Sequence, residues 1–392
     1  MITPAVAAEA SRLGDTDQLP AFVYDMTALR DHVAAVRNAL PTSTEIFYAA
    51  KANPDAPILR TVAPFVDGIE VASGGELEHV RKVLPKARLN FGGPGKTDSE
   101  LRLALALGVE RIHVESPYEL TRLAAIAQQA GQSIDIMLRV NLATTRAGAA
   151  LAMSGPFGMD PELIQSCRTI LAASPELRLR GIHAHLASGL NAAAMLQQSA
   201  AILAWARPWL ADSGVSNPEI NLGGGMAVDY IDPTDVFDWA AYGKGLAALA
   251  RPSETLRIEP GRAITAYAGA YVTQVLDVKR AHGEWFAVLR GGTMQLRTPV
   301  TKGHNQPHVI ISRGRSTGPF VHGAAVTLVG QLCTPKDVFA RSVEIDHIAV
   351  GDVVAFAMAG AYGWNISHHD FLMHPKPAFV YLGLDQIGHA GV

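Results

Sequence analysis

Four short segments carry side chains able to do chemistry. Lys51 stands at the end of an apolar run, in Tyr48-Ala-Ala-Lys-Ala-Asn53. An ammonium among apolar neighbours is costly to keep charged, so burial lowers its pKa, and the neutral amine condenses with an aldehyde to a Schiff base. His183-Ala-His185-Leu-Ala-Ser188-Gly189 places two histidines at alternate positions of one run, hence on one face of a strand. Two such residues could begin a metal site, but no third ligand of matching type is evident. An acid–base or ring-stacking role suits His185, and a hydrogen-bonded core role suits His183. Asn221-Leu-Gly-Gly-Gly-Met226 offers backbone N–H groups that no side chain covers, the usual make-up of a phosphate cradle. Glu259-Pro-Gly-Arg262 joins a carboxylate, a glycine amide and a guanidinium.

These segments share a position: each ends an apolar run. Eight such runs follow one another at residues 45–51, 68–73, 88–93, 111–116, 134–141, 181–188, 219–225 and 256–262. Stretches of helical periodicity lie between them, for example residues 75–83, 99–107, 117–130, 161–173 and 192–211. Eight strand–helix steps predict a (β/α)8 barrel, which needs about 250 residues and carries its active site at the C-terminal strand ends. Lys51, Arg139, His185, Ser188, the glycines and Glu259 all fall at that end. The loops after the seventh and eighth strands, where barrels often hold phosphate, are the glycine run and the Glu-Pro-Gly-Arg segment.

After about residue 265 helical stretches become scarce, and short strands are predicted at 268–278, 285–290, 308–312, 325–330, 353–358 and 378–381. The expected division is a barrel over residues 25–264 and a β-sandwich or barrel-like domain over 265–392. The strand-like residues 1–24 are expected to complete the latter. Composition narrows the function. Lys and Arg total 33 against 36 Asp and Glu, a net charge of −3, without the basic excess of a nucleic-acid binder. Two cysteines, Cys167 and Cys333, cannot build a disulfide framework. No apolar run approaches the roughly 20 residues of a membrane span, and the first nineteen residues lack a signal peptide's basic and apolar regions. A cytoplasmic enzyme is expected.

Taken in order, the segments YAAKAN (48–53), EVASGGEL (70–77), HAHLASG (183–189), GGG (223–225), EPGR (259–262), CTPKD (333–337) and AGAYG (359–363) resemble the PLP-dependent decarboxylases of the alanine racemase-like fold. That group includes diaminopimelate and ornithine decarboxylases. The resemblance spans nearly the whole chain. It implies pyridoxal 5'-phosphate bound through Lys51, with His185 stacked on its ring and Glu70 near it. It implies Glu259 at the ring nitrogen and Ser188, Gly224, Gly225, Gly261, Arg262 and Tyr362 around the phosphate. Arg139 would be a structural or ring-side contact, and no metal is implied. It also implies a homodimer with shared active sites, to which the partner would bring Cys333 and Asp337.

Decarboxylation leaves an electron pair on Cα, which the cofactor ring absorbs. A carboxylate at the ring nitrogen keeps that nitrogen protonated, so Glu259 favours a decarboxylase over a racemase of this fold, where an arginine stands. Cys333 would return the proton to Cα, and Cys167, in a barrel helix, is structural. Diaminopimelate decarboxylases carry glutamate directly after the cysteine and ornithine enzymes aspartate; here it is Thr334. The segment Ser154-Gly-Pro-Phe157-Gly158 also lacks the basic residue that would meet a distal carboxylate. CTPKD and the tail from Tyr362 to Pro375 resemble instead the siderophore and secondary-metabolite branch. Its members act on an amino acid conjugated through its side-chain amine, such as a citryl-diaminopropionate. Arg297 and the His368-His369 pair, His369 in particular, would then meet extra carboxylates. The alternatives are a diaminopimelate or ornithine/lysine-type decarboxylase, a racemase, a non-catalytic PLP carrier, and a PLP-free barrel binding a sugar phosphate.

Overall fold

The computed structural model describes residues 2–143, 151–152, 155–297, 303–314 and 317–384. It divides into two compact units: one of Met1–Asp31, Val228–Val236 and Ile264–Val392, the other of His32–Ala227 and Phe237–Ala263.

The second unit is a closed barrel of eight parallel strands. In chain order these are Thr44–Ala49, Gly68–Val71, Leu89–Phe91, Arg111–Val114, Ile134–Arg139, Leu177–His183, Glu219–Asn221 and Thr255–Ile258. The eighth pairs with the first, Arg257 opposite Glu45, and closes the ring. Each expected strand is present, and the expected fold class holds. Helices follow the strands, and their starts explain several polar strand-end residues. Ser73 and Ser116 cap the helices Gly74–Val83 and Pro117–Ala130 by accepting from the third helical amide. Thr97 forms a reciprocal capping box with Glu100 ahead of Asp98–Ala106. These residues serve the fold rather than a ligand.

Charged side chains close the N-terminal end of the barrel. Arg257, 1% exposed, lies over the Phe47 ring at 4.2 Å and pairs with Glu45, with Glu110 at 3.2 Å and with Glu219 at 3.5 Å. Arg111 joins Glu219 at 2.5 Å and Asp135 at 3.2 Å. Removing one member strands its buried partners. Arg257→Ala is therefore expected to destabilise the fold by about 3–5 kcal/mol, measured by urea unfolding of the cofactor-free protein. A change under ~1 kcal/mol would mean that the network is solvated.

The first unit is built on an eight-stranded sheet. Ala21–Asp25 runs antiparallel to Gly269–Ala281 and parallel to Ala378–Leu382, so the N-terminal strand does join the C-terminal sheet. Ahead of it the expectation of strand fails, because Pro4–Leu13 is an α-helix. Thr3 caps it, Pro4 occupies its first turn, and Val6, Ala10 and Leu13 at spacings of four and three pack into the sheet's core with Ala21, Val23, Val272 and Val353. Val338–Ala349 is a twelve-residue strand that the apolar pattern does not reveal. Charged residues interrupt it, and its pairing with Phe320–Val329 contains register shifts. No helix among the described residues is long and apolar enough to cross a membrane.

Candidate active site

Polar residues of seven barrel strands and their loops meet at the C-terminal end. Lys51 sits in the one-turn helix Ala50–Ala52 directly after the first strand. The Ala49 amide donates to the Pro260 carbonyl, and the Glu259 amide to the Gly223 carbonyl. The first, eighth and seventh strand ends are thereby stitched side by side. The lysine is less buried than its apolar setting suggests. Its side chain is 45% exposed, and Nζ lies 2.5 Å from Glu70 Oε2. Glu70 is buried; burial pushes its carboxyl up, helped by the charge of Glu259 and opposed by Lys51.

The glycine run is shaped by its neighbours. A Cβ on Gly224 would stand 2.2 Å from the Glu259 carbonyl oxygen, and one on Gly225, whose φ is +105°, 2.2 Å from that of Ala187. Gly225 also accepts from the amides of Gly189 and Leu190. Only glycine fits either position. Gly225→Ala is expected to weaken binding of an anionic ligand at least about tenfold while the chain still folds, as measured by titration of the cofactor-free protein. Unchanged affinity would remove this loop from the site.

His185, half-buried, accepts the Gly224 N–H at Nδ1 (3.0 Å), and its Nε2 lies 3.4 Å from Ser188 Oγ. Accepting at Nδ1 assigns the neutral ring's proton to Nε2. Burial, with the nearby cations Arg139 and Lys51, pushes its pKa down to about 3. The unfolded chain binds this proton near pH 6.5 and the folded one resists it until about 3, so stability is lost as pH falls through that window. Urea midpoints of the cofactor-free protein should fall between about pH 7 and pH 5, and less so in His185→Asn. Equal slopes would refute the assignment. Arg139 is buried and pairs with Glu115 at 2.7 Å, which also accepts from the amides of Gly93 and Gly158.

Glu259 is buried below the strand end. Asn221 Nδ2 donates to its Oε1 at 2.7 Å, His183 Nε2 lies 3.2 Å from Oε2, and His113 Nε2 lies 3.8 Å from Oε1. Burial alone would raise this carboxyl, but His183, facing Oε2, holds it well below the usual range, while burial pushes the pKa of His113 itself well down. His113 is the third ligand-type residue that the paired-histidine motif lacks on its own, and the sequence reading misses it. The three groups bring ligand atoms within 4.8 Å of one another. The two imidazoles are stacked at 4.2 Å and 16°, however. Parallel rings aim their in-plane lone pairs side by side, not at one ion. His183 is buried as expected but not hydrogen-bonded: among the described residues none of the four ring nitrogens has a hydrogen-bond partner. Glu115 and Asn221 are equally unassigned by the sequence; a charged or amide residue inside an apolar strand run is the available signal.

The remaining expected residues belong to the β unit. Cys333 is exposed, in the loop that follows Phe320–Val329. Asp337 is not available to a substrate. It is 2% exposed, and its carboxylate accepts from the amides of Thr293 (2.7 Å) and Leu332 (2.8 Å), where it anchors the Cys333 loop. Arg297 is exposed, with its amide donating to Ser367 Oγ. His369 stacks on Trp364 at 4.0 Å, with Nε2 2.6 Å from that residue's carbonyl. Tyr362 adopts a left-handed φ of +51°. Ser154, in the expected specificity segment, lies outside the described residues; Phe157 lies under Arg139 at 5.1 Å. Cys167 is buried, and burial pushes its thiol up to about 11, as befits an inert structural cysteine.

A lysine at a barrel mouth, an acid beside it, a neutral histidine, a glycine cradle and a second, ionised acid define a (β/α)8 enzyme that carries an aldehyde cofactor with a phosphate. The profile of the "Pyridoxal-dependent decarboxylase, pyridoxal binding domain" family matches residues 26–266, and the chain belongs to that family. A curated relative, 2-[(L-alanin-3-ylcarbamoyl)methyl]-2-hydroxybutanedioate decarboxylase of Staphylococcus aureus, is 43% identical over 373 residues, covering 92% of this chain and 93% of the relative. Diaminopimelate decarboxylase of Actinosynnema pretiosum is 32% identical over 88% of this chain and 79% of its own. Among solved structures, a point mutant of diaminopimelate decarboxylase of Helicobacter pylori complexed with L-lysine matches with a TM-score of 0.84 and 25% identity. That match covers 95% of this chain and 93% of the other. The chain is a PLP-dependent decarboxylase. A lysine amine beside a carboxylate, and a glycine loop so closely packed against neighbouring backbone that no side chain can stand on it, fit an aldehyde cofactor that carries a phosphate.

Proposed function

We propose that the chain decarboxylates an amino acid already conjugated through its side-chain amine, of the citryl-diaminopropionate type, in siderophore or related secondary-metabolite assembly. The observation that carries this is the 43% identity, over more than nine-tenths of both chains, to the decarboxylase of a hydroxybutanedioate conjugate. Thr334 supports it, since it stands where diaminopimelate and ornithine enzymes carry an acid for a free distal amine.

In this reading Lys51 holds the cofactor and exchanges its proton at Nζ with Glu70, 2.5 Å away. His185 would hold the cofactor ring, its neutrality avoiding a buried charge there. Gly224, Gly225, Gly261, Ser188, Arg262 and Tyr362 would receive the phosphate, with Arg139, held in place by Glu115, as a further contact to the cofactor. Glu259, held ionised, would keep a proton on the ring nitrogen. When bound, pyridoxal phosphate supplies an electron sink for the pair left by departing CO2. The Cys333 thiol returns a proton to Cα, and Arg297 and His369 meet the conjugate's carboxylates. We further propose a cytoplasmic homodimer, with residues 25–264 and Tyr362 holding the cofactor and Cys333 completing the partner's site. Assays of CO2 release should show faster turnover of a citryl-diaminopropionate than of free diaminopimelate, ornithine or lysine. Faster turnover of free diaminopimelate would replace this reading with the diaminopimelate one. D-amino acid without CO2 would indicate a racemase.

A further inference from the structure

Glu259 is held unequally by its surroundings. Asn221 fixes Oε1 with a 2.7 Å hydrogen bond. Oε2 faces His183 Nε2 at 3.2 Å, a contact not aligned as a hydrogen bond. Asn221 and Arg139 are the register partners of His183 on the two adjoining strands, so all three side chains lie on the same face of the sheet. Whatever sets the angle of the His183 ring therefore sets what Oε2 meets. No hydrogen bond sets it, because both of its ring nitrogens are without partners among the described residues.

The group that lies flat against that ring is His113. It reaches across from the fourth strand, two strands away, and stacks at 4.2 Å and 16°. His113 is 0% exposed, and its own nitrogens are also unpartnered among the described residues. A buried polar ring with no hydrogen bonds is a cost that an aliphatic side chain would avoid. Its flat, parallel contact is what an aliphatic side chain could not give. Offset stacking of this kind constrains ring orientation as well as filling space.

We propose that His113 is a positioning residue. Through its stack on His183 it fixes the carboxylate of Glu259, and so the proton on the ring nitrogen of the bound cofactor. The inference rests on the cofactor reading above. The pair does not gather a metal, for the reason of ring geometry already given, and His113 touches no reacting atom.

Two variants separate stacking from volume. His113→Leu fills the space without a flat ring, and His113→Phe keeps the ring without nitrogen. Both are reconstituted with pyridoxal phosphate labelled at the ring nitrogen and examined by NMR, then assayed for kcat and KM. In His113→Leu the nitrogen signal should move toward that of neutral pyridine. kcat should fall about tenfold while KM stays within about twofold, the size of effect typical of a residue supporting a site through another. His113→Phe should restore both to within about threefold of wild type. A His113→Leu protein identical to wild type in signal and kcat overturns the proposal. So does a His113→Phe protein as impaired as the leucine variant. If His113→Leu fails to fold, the phenylalanine variant decides alone: near wild type it supports the stack, and impaired it overturns it. A wild-type protein that takes up no cofactor would instead fail the reading on which this inference rests, before any variant is compared.

Discussion

Lys51→Ala is expected to abolish the visible absorbance of the lysine-bound cofactor and to lower turnover on the order of 10⁴-fold or more. The covalent attachment and the proton-carrying amine are lost together. The geometry makes this specific. Nζ of Lys51 is the amine that faces the Glu70 carboxylate across 2.5 Å, at the seam where the first, seventh and eighth strand ends are tied together. Lys96, the other lysine near this end, cannot substitute. It is 4% exposed, and its amine is taken up by Glu119 and by the carbonyls of Gly93 and His113. Fold should be retained, since the Lys51 side chain is half-exposed and its removal empties no packed core. A Lys51→Ala protein that kept the absorbance band would place the cofactor on another lysine and undo the site as described.

The second large effect is expected at Cys333. Cys333→Ala should bind pyridoxal phosphate with wild-type affinity and lose about 10²–10⁴-fold in kcat, the usual worth of a positioned general acid. The two cysteines make a clean contrast. Cys333 is exposed in a loop held by Asp337, whereas Cys167 is buried against Met159 with its thiol pushed up to about 11. Cys167→Ala should leave kcat unchanged and cost stability alone. Full activity in Cys333→Ala would strike the thiol from the mechanism. Loss of cofactor binding would make it a structural residue instead.

Much of this is legible without coordinates. Eight apolar runs mark eight strands because a parallel barrel buries both faces of each strand, so the runs are continuous and their polar ends conspicuous. The parts not legible fail for identifiable reasons. Pro4–Leu13 carries the helical spacing of Val6, Ala10 and Leu13, but its Ala-rich run, followed by a true strand at Ala21–Asp25, reads as one extended lead-in. Val338–Ala349 is interrupted by a left-handed residue, Ser342, and by shifts of register that break its alternation. His113 is hidden because one histidine in the fourth strand gains meaning only when the barrel closes and brings it onto His183. The motif around Asp337 reads as a substrate contact. Its burial between two backbone amides is a property of the folded loop, which the motif does not express.

The most direct measurement of the central claim is peptide mapping after chemical trapping. The holoprotein is treated with borohydride, which fixes a Schiff base as a stable amine, then digested and read by tandem mass spectrometry. A single pyridoxyl-phosphate adduct is expected on the peptide that contains Tyr48-Ala-Ala-Lys-Ala-Asn53, located at Lys51. An adduct on any other lysine, or none after incubation with excess cofactor, would contradict it.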